Sequence, residues 1–252
     1  VDERRRKLKE DFTAARGYWS AIWDEVLESS PDYFEAYAKF SSVPWKTGTL
    51  APKVRELIYI AIDSSTTHMY EPGLKVHIRN ALKYGATKDE IMEVYQLTSV
   101  LGIHTVTFGL PVLLDEARKA GQPVEMASLT PEQERLKATF TENRGYWSPL
   151  WDGLIRISPE FFEAYMDFSS VPWTTGSLDP KVRELIYIAI DSATTHMYEP
   201  GLRVHIQNAF KYGATVQEIM EVYQLTSVLG VHTVTFGVPH LIDELKKAET
   251  SR

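Results

Sequence analysis

The sequence predicts an all-α fold made of two tandem copies of one helical unit. Three observations carry this prediction. Apolar residues recur at helical rather than alternating spacing, helix-starting and helix-ending residues bracket those runs, and the whole pattern is written twice. Gly17-Tyr18-Trp19-Ser20 returns as Gly145-Tyr146-Trp147-Ser148, and Ser41-Ser42-Val43-Pro44-Trp45 returns as Ser169-Ser170-Val171-Pro172-Trp173, both at an offset of 128. No insertion breaks the register from Phe12/Phe140 to Glu116/Glu244. From Trp45 to Pro111 roughly five in six positions are identical between copies. The first copy is assigned to residues 1–120, a linker containing Gly121, Pro123 and Pro131 to 121–133, and the second copy to 134–252. Two such copies in one chain predict an intramolecular pseudo-dimer.

Within one copy, residues 7–16 and 18–28 carry apolar side chains at helical spacing. Ser30-Pro31 reads as an N-cap followed by proline at the first helical position, opening a helix to about 41. Ala51-Pro52, replaced by the better cap Asp179-Pro180 in the second copy, opens the next helix, about 53–66. That helix has Val54, Leu57, Ile58, Ala61 and Ile62 on its buried face. Glu71-Pro72-Gly73 marks a turn, Pro72 starts a helix through Tyr84, and Gly85 caps it. Thr87-Lys88-Asp89-Glu90 is a capping box, repeated as Thr215-Val216-Gln217-Glu218, for a helix to about 102. β-Branched residues crowd 103–108, which still reads as helical, and a last helix follows Pro111 over 112–119.

Composition excludes several classes of function. None of the 252 residues is Cys, which rules out disulfides, thiolate metal sites, a Cys nucleophile and CxxC redox chemistry. A net charge of −7 argues against a broad basic surface, so no nucleic-acid partner is expected. The longest clear apolar run, 57–62, falls far short of the ~18 residues of a membrane helix, so no membrane partner is expected. The charged start Val1-Asp2-Glu3-Arg4-Arg5-Arg6-Lys7 is followed by no apolar signal region, and a cytoplasmic location is the expectation.

Six of the seven histidines form three pairs at the repeat offset, His68/His196, His77/His205 and His104/His232. His240 stands opposite Val112 and is incidental. His68-Met69-Tyr70-Glu71-Pro72-Gly73 packs titratable and polar groups into a turn between two helices, and His196-Met197-Tyr198-Glu199-Pro200-Gly201 repeats it. Plain structural roles exist for each: a core histidine at His77 or His104, charges favoured at helix ends for His68 and Glu71, and core or pocket wall for Tyr18, Trp19, Trp23, Phe34, Tyr37 and Trp45. The turn at 67–72 brings His77 back beside the helix carrying Glu56 and Asp63. By residue counting, Asp63 is its nearer partner and Glu56 lies about two turns further along. A carboxylate there would fix the tautomer of the imidazole and raise its basicity.

The run Arg55-Glu56-Leu57-Ile58-Tyr59-Ile60-Ala61-Ile62, then His77-Ile78-Arg79-Asn80-Ala81-Leu82, then Gly85-Ala86-Thr87-x-x-Glu90-Ile91-Met92-Glu93-Val94 resembles the carboxymuconolactone decarboxylase family, over roughly 50–116 and again over 178–244. The resemblance implies the helical fold shared with alkylhydroperoxidase D-like proteins, and trimer-based rings with sites near the interfaces. A homo-oligomer is therefore expected, a trimer of this two-copy chain standing for a hexamer of single units. In the peroxidase branch a Glu, a CxxC pair and a following His form a proton relay. The Glu matches Glu56 and Glu184, and the His matches His77 and His205. The cysteine positions fall around His68 and Glu71 (His196 and Glu199), and the spacing to His77 is two residues longer. Dithiol peroxidase activity is not expected. His104, His232 and the His-x-Tyr-Glu-Pro-Gly turn depart from the decarboxylase branch and leave the substrate open.

Three functions fit these residues, and they leave open whether each site lies within one copy or between the two. The first is decarboxylation of a small acidic lactone or keto acid without a cofactor. His77 or His68 would protonate the carbon or enolate, Glu56 and Glu71 would complete the acid–base set, and Tyr70 or Arg79 would hold a carboxylate. Glu184, His196, Tyr198, Glu199 and His205 are the repeat equivalents. Arg79 becomes Gln207 in the second copy and is a poor anchor. The second uses His68, His77 and His104 with Glu71, and His196, His205 and His232 in the second copy, as ligands of Zn²⁺, Fe²⁺ or Mn²⁺. The third is a small-ligand-binding or assembly protein without turnover.

Overall fold

Proline and capping chemistry set the helix boundaries in the computed structural model, which describes residues 3–122 and 124–250. The first copy runs α1 (Glu3–Arg16), α2 (Asp24–Ser29), α3 (Pro31–Ser41), α4 (Val43–Thr47), α5 (Pro52–Ser64), α6 (Glu71–Lys83), α7 (Lys88–Ser99) and α8 (His104–Lys119). The second runs α9 (Pro131–Arg144), α10 (Asp152–Ile157), α11 (Pro159–Thr175), α12 (Pro180–Ser192), α13 (Glu199–Lys211), α14 (Val216–Ser227) and α15 (His232–Thr250). No strand occurs among the described residues. Both capping boxes form, with Thr87 and Thr215 accepting from the Glu90 and Glu218 amides. The side chain of Asp179 accepts from the Lys181 amide, whereas Ala51 caps nothing.

Three local expectations are corrected. Residues 18–28 are not one helix: Gly17, at φ +77°, ends α1 in the left-handed region, and a 3₁₀ turn at Ala21–Trp23 precedes α2. Pro111 does not open a helix but lies inside α8, as Pro239 lies inside α15, because proline removes a single helical hydrogen bond and the packed helix tolerates that loss. A 3₁₀ turn at Val100–Ile103 joins α7 to α8. Helix is therefore continuous over Lys88–Lys119, and likewise over Val216–Thr250, and both stretches are long and apolar enough by length and composition to cross a membrane. Their apolar residues are spread along a long helix rather than gathered in one unbroken run.

The α5 and α12 helices lie at the centre, packed on each other and on α7 and α14. Every residue from Arg55 to Asp63 is buried, and one apolar core runs through both copies. A smaller cluster beneath α9–α11 includes Leu136, Phe140 and Phe162. Thr67 meets its own repeat equivalent Thr195, hydroxyl to hydroxyl at 3.3 Å, as residues on a two-fold axis do.

Two reciprocal buried ion pairs lock the copies together. Arg55 donates to Glu221 at 2.6 Å, and the other oxygen of Glu221 accepts from the Thr49 and Leu50 amides. Arg183, Ser177 and Leu178 hold Glu93 in the same way. A Cβ on Gly48 would sit 2.2 Å from the Glu221 carboxylate, and one on Gly176 equally close to Glu93, so only glycine admits the acid. The last helix of each copy covers the other copy: α8 packs on α10, and α15 on α2.

Candidate active site

The α5–α6 hairpin builds half of the first site, and the α12–α13 hairpin half of the second. The Tyr70 amide donates to the Asp63 carbonyl at 2.9 Å and closes the turn, with Met69 in the left-handed region at φ 51°. Gly73 leaves room for Asp63, since a Cβ there would meet the carboxylate at 2.3 Å. His77 returns against α5, stacked on Tyr59 with ring centroids 4.4 Å apart.

The partner order expected for His77 is reversed. Its Nδ1 lies 2.6 Å from Glu56, and its Nε2 lies 4.0 Å from Asp63. The hairpin closes at Asp63–Tyr70, so the residue seven positions further along α6 faces the one seven positions back along α5, which is Glu56. The His77 side chain leans towards the start of its helix, which brings Nε2 back towards Asp63. His205 repeats the contact with Glu184 at 2.6 Å.

The other half of each site comes from the opposite copy. His68 Nε2 lies 2.7 Å from His232 Nδ1, and the Tyr70 hydroxyl 2.5 Å from that of Thr235. His232 stacks on Tyr70 at 3.8 Å and lies 3.8 Å from Asp63. The second site mirrors this with His104 on His196 at 2.6 Å, Thr107 on Tyr198 at 2.5 Å, and Asp191 3.8 Å from His104. The proposed set His68, His77 and His104 is therefore not assembled, because α8 carries His104 across to the second copy. The groups that could hold a metal are instead Asp63, His68 and His232, and His104, Asp191 and His196, each with its ligand atoms within 4.8 Å of one another. His77 and His205 stand outside both. Glu71 and Glu199 are exposed, pair with Lys75 and Arg203 on their own helices, and do not join the cluster. Arg79 is exposed as well.

Each cluster borders a small cavity, about 30 Å³ at the first site and about 40 Å³ at the second. Arg16, Tyr18, Tyr59, Asp63, His77 and His232 line the first. Arg144, Tyr146, Tyr187, Asp191, His205 and His104 line the second. Burial raises Asp63 to about 7 against the opposing pull of His77, with Glu56 adding to the rise, and Asp191 is raised to about 7 in the same way. Burial lowers His232 to about 3, with His68 and His77 adding to the effect, and lowers His104 to about 3 beside His196 and His205. Burial also lowers His68 and His196. At neutral pH the paired imidazoles are thus uncharged, one ring donating its N–H to the other. One buried oxygen of Asp63, and one of Asp191, has no hydrogen-bond partner. The arrangement offers a carboxyl group poised to exchange a proton near pH 7, beside an imidazole oriented by a second carboxylate.

From sequence, Asp63 was expected only as the carboxylate partner of His77, and Asp191, Arg16 and Arg144 were not singled out. The arginines had one available signal, since each immediately precedes the repeated Gly-Tyr-Trp-Ser motif.

A family model described as the carboxymuconolactone decarboxylase family matches residues 31–122 and 159–232. The chain is similar to a crystal structure from Burkholderia xenovorans LB400 that bears the provisional name gamma-carboxymuconolactone decarboxylase subunit. The two are 43% identical with a TM-score of 0.93, over 97% of this chain and 98% of that one. No curated protein matches the chain.

Proposed function

Because the chain belongs to the carboxymuconolactone decarboxylase family, we propose that it is a carboxy-lyase releasing CO₂ from a small acidic lactone or keto acid at two equivalent sites between its copies. The observation that carries this reading is the buried, unpartnered Asp63 oxygen, on a carboxyl titrating near 7 and 4.0 Å from His77. In the reaction the bond to the departing carboxylate breaks and its electron pair moves onto the substrate carbonyl as an enolate. CO₂ leaves, and a proton from Asp63 or His77 is delivered to carbon. Glu56 accepts the His77 Nδ1–H and so keeps Nε2 facing Asp63. The neutral pair His232–His68 runs from beside Asp63 to the half-buried end of the cluster and provides a route for the replacement proton. Tyr70, bonded to Thr235, holds His232 in place as a positioning residue.

The test is CO₂ release by the full chain across a panel of acidic lactones and β-keto acids. Turnover that disappears in H77A/H205A supports the reading. Saturable binding of these compounds without CO₂ release would replace it with a ligand-binding module.

A second reading rests on the Asp63–His68–His232 and His104–Asp191–His196 triads, each two imidazoles and a carboxylate within reach of one divalent ion such as Zn²⁺, Fe²⁺ or Mn²⁺. Elemental analysis of chain incubated with each ion and then desalted checks it. About two equivalents per chain, lost in H68A/H196A, are expected on this reading, and retention by that variant ends it.

Assembly belongs to the same proposal. Phe108, Val112 and Leu113 on α8, and Phe236, Leu241 and Leu245 on α15, are exposed apolar residues of the kind covered in an oligomer, and a trimer is the proposed state. Sedimentation equilibrium would show it, and a monomer at micromolar concentration would exclude it.

A further inference from the structure

The two cavities are too small for the molecules the sites are proposed to take. At about 30 and 40 Å³ they fall well short of the ~150 Å³ that holds one benzene ring. A lactone ring with its carboxylate is larger than benzene, so one wall of each cavity has to move to admit it. The walls of the first cavity differ in how firmly they are held. Tyr59, Ile62 and Asp63 belong to the buried central helix α5, and the bonds Tyr70 to Asp63 and His77 to Glu56 fix α6 on it. Leu225 of the second copy lies on α14, which the buried pair Arg55–Glu221 pins in place. Arg16 has no carboxylate paired to it among the described residues, but its Nη1 donates to the Ser41 carbonyl at 3.0 Å and its guanidinium lies over Trp45 at 5.0 Å. Trp23 is stacked on Tyr37 with centroids 4.8 Å apart.

The remaining wall is the segment 17–22, and it is held least. The amides of Tyr18, Trp19 and Ser20 donate to no carbonyl, and the next backbone bond runs from the Trp23 amide to the Ser20 carbonyl at 3.1 Å. Gly17 opens the segment in the left-handed region, which glycine enters and leaves at little cost. Tyr18, Ser20 and Ile22 line the cavity, while Gly17 and Ala21 are exposed, so a single strand of chain separates the acid–base groups from solvent. Residues 145–150 repeat the arrangement with Gly145, Tyr146, Ser148 and Leu150. One difference is mechanical: Pro149 stands where the first copy has Ala21. Ser20 and Ser148 have nearly the same backbone angles, φ −118° and ψ 137° against φ −111° and ψ 137°, so position 21 also accepts proline.

We infer that residues 17–22 and 145–150 are gates, which swing on Gly17 and Gly145 to open the cavities and close over what enters, and that Pro149 makes the second gate the stiffer of the two. Closure keeps bulk water away from Asp63 and His77, and from Asp191 and His205. On the lyase reading, it shields the enolate until one of these groups delivers the proton. The size of the molecule admitted rests on that reading, whereas the opening of the segments does not.

The chain has no cysteine, so a single introduced thiol reports on its own position. Ser20 and Ser148 are 8% and 5% exposed and lie on the gates, whereas Ser41 is fully buried on α3 and its hydroxyl bonds to nothing. The experiment is alkylation of full-length S20C, S148C and S41C by iodoacetamide, with the unfolding rate of each variant measured in parallel by denaturant jump. S20C should react at least about 10-fold faster than S41C and faster than its own unfolding, as a locally opening segment does. S148C should react about 2- to 5-fold more slowly than S20C, the worth of proline at a compatible position. Adding A21P to S20C should slow it, and adding P149A to S148C should speed it, by the same factor. Neither residue lines a cavity. Alkylation of S20C only at the rate of global unfolding, or rates unmoved by both proline exchanges, would overturn the gates. Gated alkylation with no CO₂ release from any substrate would keep the gates and remove the lyase reading.

Discussion

The two sites are lined by the same residue types, and the copies diverge around them. Arg16, Tyr18, Tyr59, Asp63 and His77 of the first copy face His232 of the second, and Arg144, Tyr146, Tyr187, Asp191 and His205 face His104. The differences include helix ends and exposed positions, such as Ala51 against Asp179 and Arg79 against Gln207, and small apolar exchanges in the core, such as Val26 against Leu154, Leu27 against Ile155 and Ile103 against Val231. One interior difference is a matter of hydrogen bonding, since Asn80 donates to Glu56 at 3.3 Å while Asn208 and Glu184 each keep an unpartnered atom. The lesson is that each copy builds most of one site and lends a histidine to the other. Neither copy contains a complete site.

The largest expected effect comes from removing the oriented imidazole. H77A/H205A should cut turnover about 10²- to 10⁴-fold, the usual worth of a positioned general acid–base, whereas H77A alone should leave about half, from the untouched site. A single variant as inactive as the double would mean that the sites do not work independently. Next is the lock between the copies. Removing one carboxylate, as in E221Q, strands the buried Arg55 and should cost about 3–5 kcal/mol in denaturant unfolding, with E93Q costing the same. Unequal losses would show that the two halves of the lock are not equivalent.

pH separates the acids from the histidines. Asp63 and Asp191 donate only when protonated, so turnover should fall as pH rises through about 7, and D63N/D191N should abolish that limb along with most activity. Stability follows the same shifts. The raised aspartates make the folded protein lose stability as pH rises between 3.8 and about 7, and the lowered His104 and His232 make it lose stability as pH falls from 6.5 towards about 3. The two effects oppose each other over their shared range. Thermal melts should therefore be nearly flat there, and should fall above it in the native chain but not in D63N/D191N. The smallest effect is at the N-cap of α5 and α12. A51D should gain about 0.5–1 kcal/mol and D179A should lose as much, in chemical denaturation. A change in turnover from either would contradict the separation of this surface cap from the residues that line the sites.

Much of the fold was legible because its signals are local. Prolines at helix starts, the Thr-x-x-Glu boxes and the 128-residue repeat each act within a few residues or by direct self-comparison. The His77–Glu56 pairing was within reach, yet residue counting favoured Asp63, because the closing contact between Asp63 and Tyr70 fixes the register and no periodicity reveals it. Glu71 looked catalytic in the sequence, but its place in the first turn of α6 turns it out to pair with Lys75. His104 could not be assigned to a site from sequence, because its partner depends on where a whole helix packs, and α8 lies on the other copy. Arg16 belongs to a segment whose burial depends on the fold around it, so its missing counter-charge becomes visible only in three dimensions.

The central claim, that each site is shared between copies, is tested most directly by comparing turnover in two double variants. H77A/H232A damages one shared site twice and should retain about half the activity of the native chain. H77A/H104A damages both sites once and should fall far below that. The reverse order, with H77A/H104A retaining half and H77A/H232A inactive, would place each site within a single copy and contradict the account.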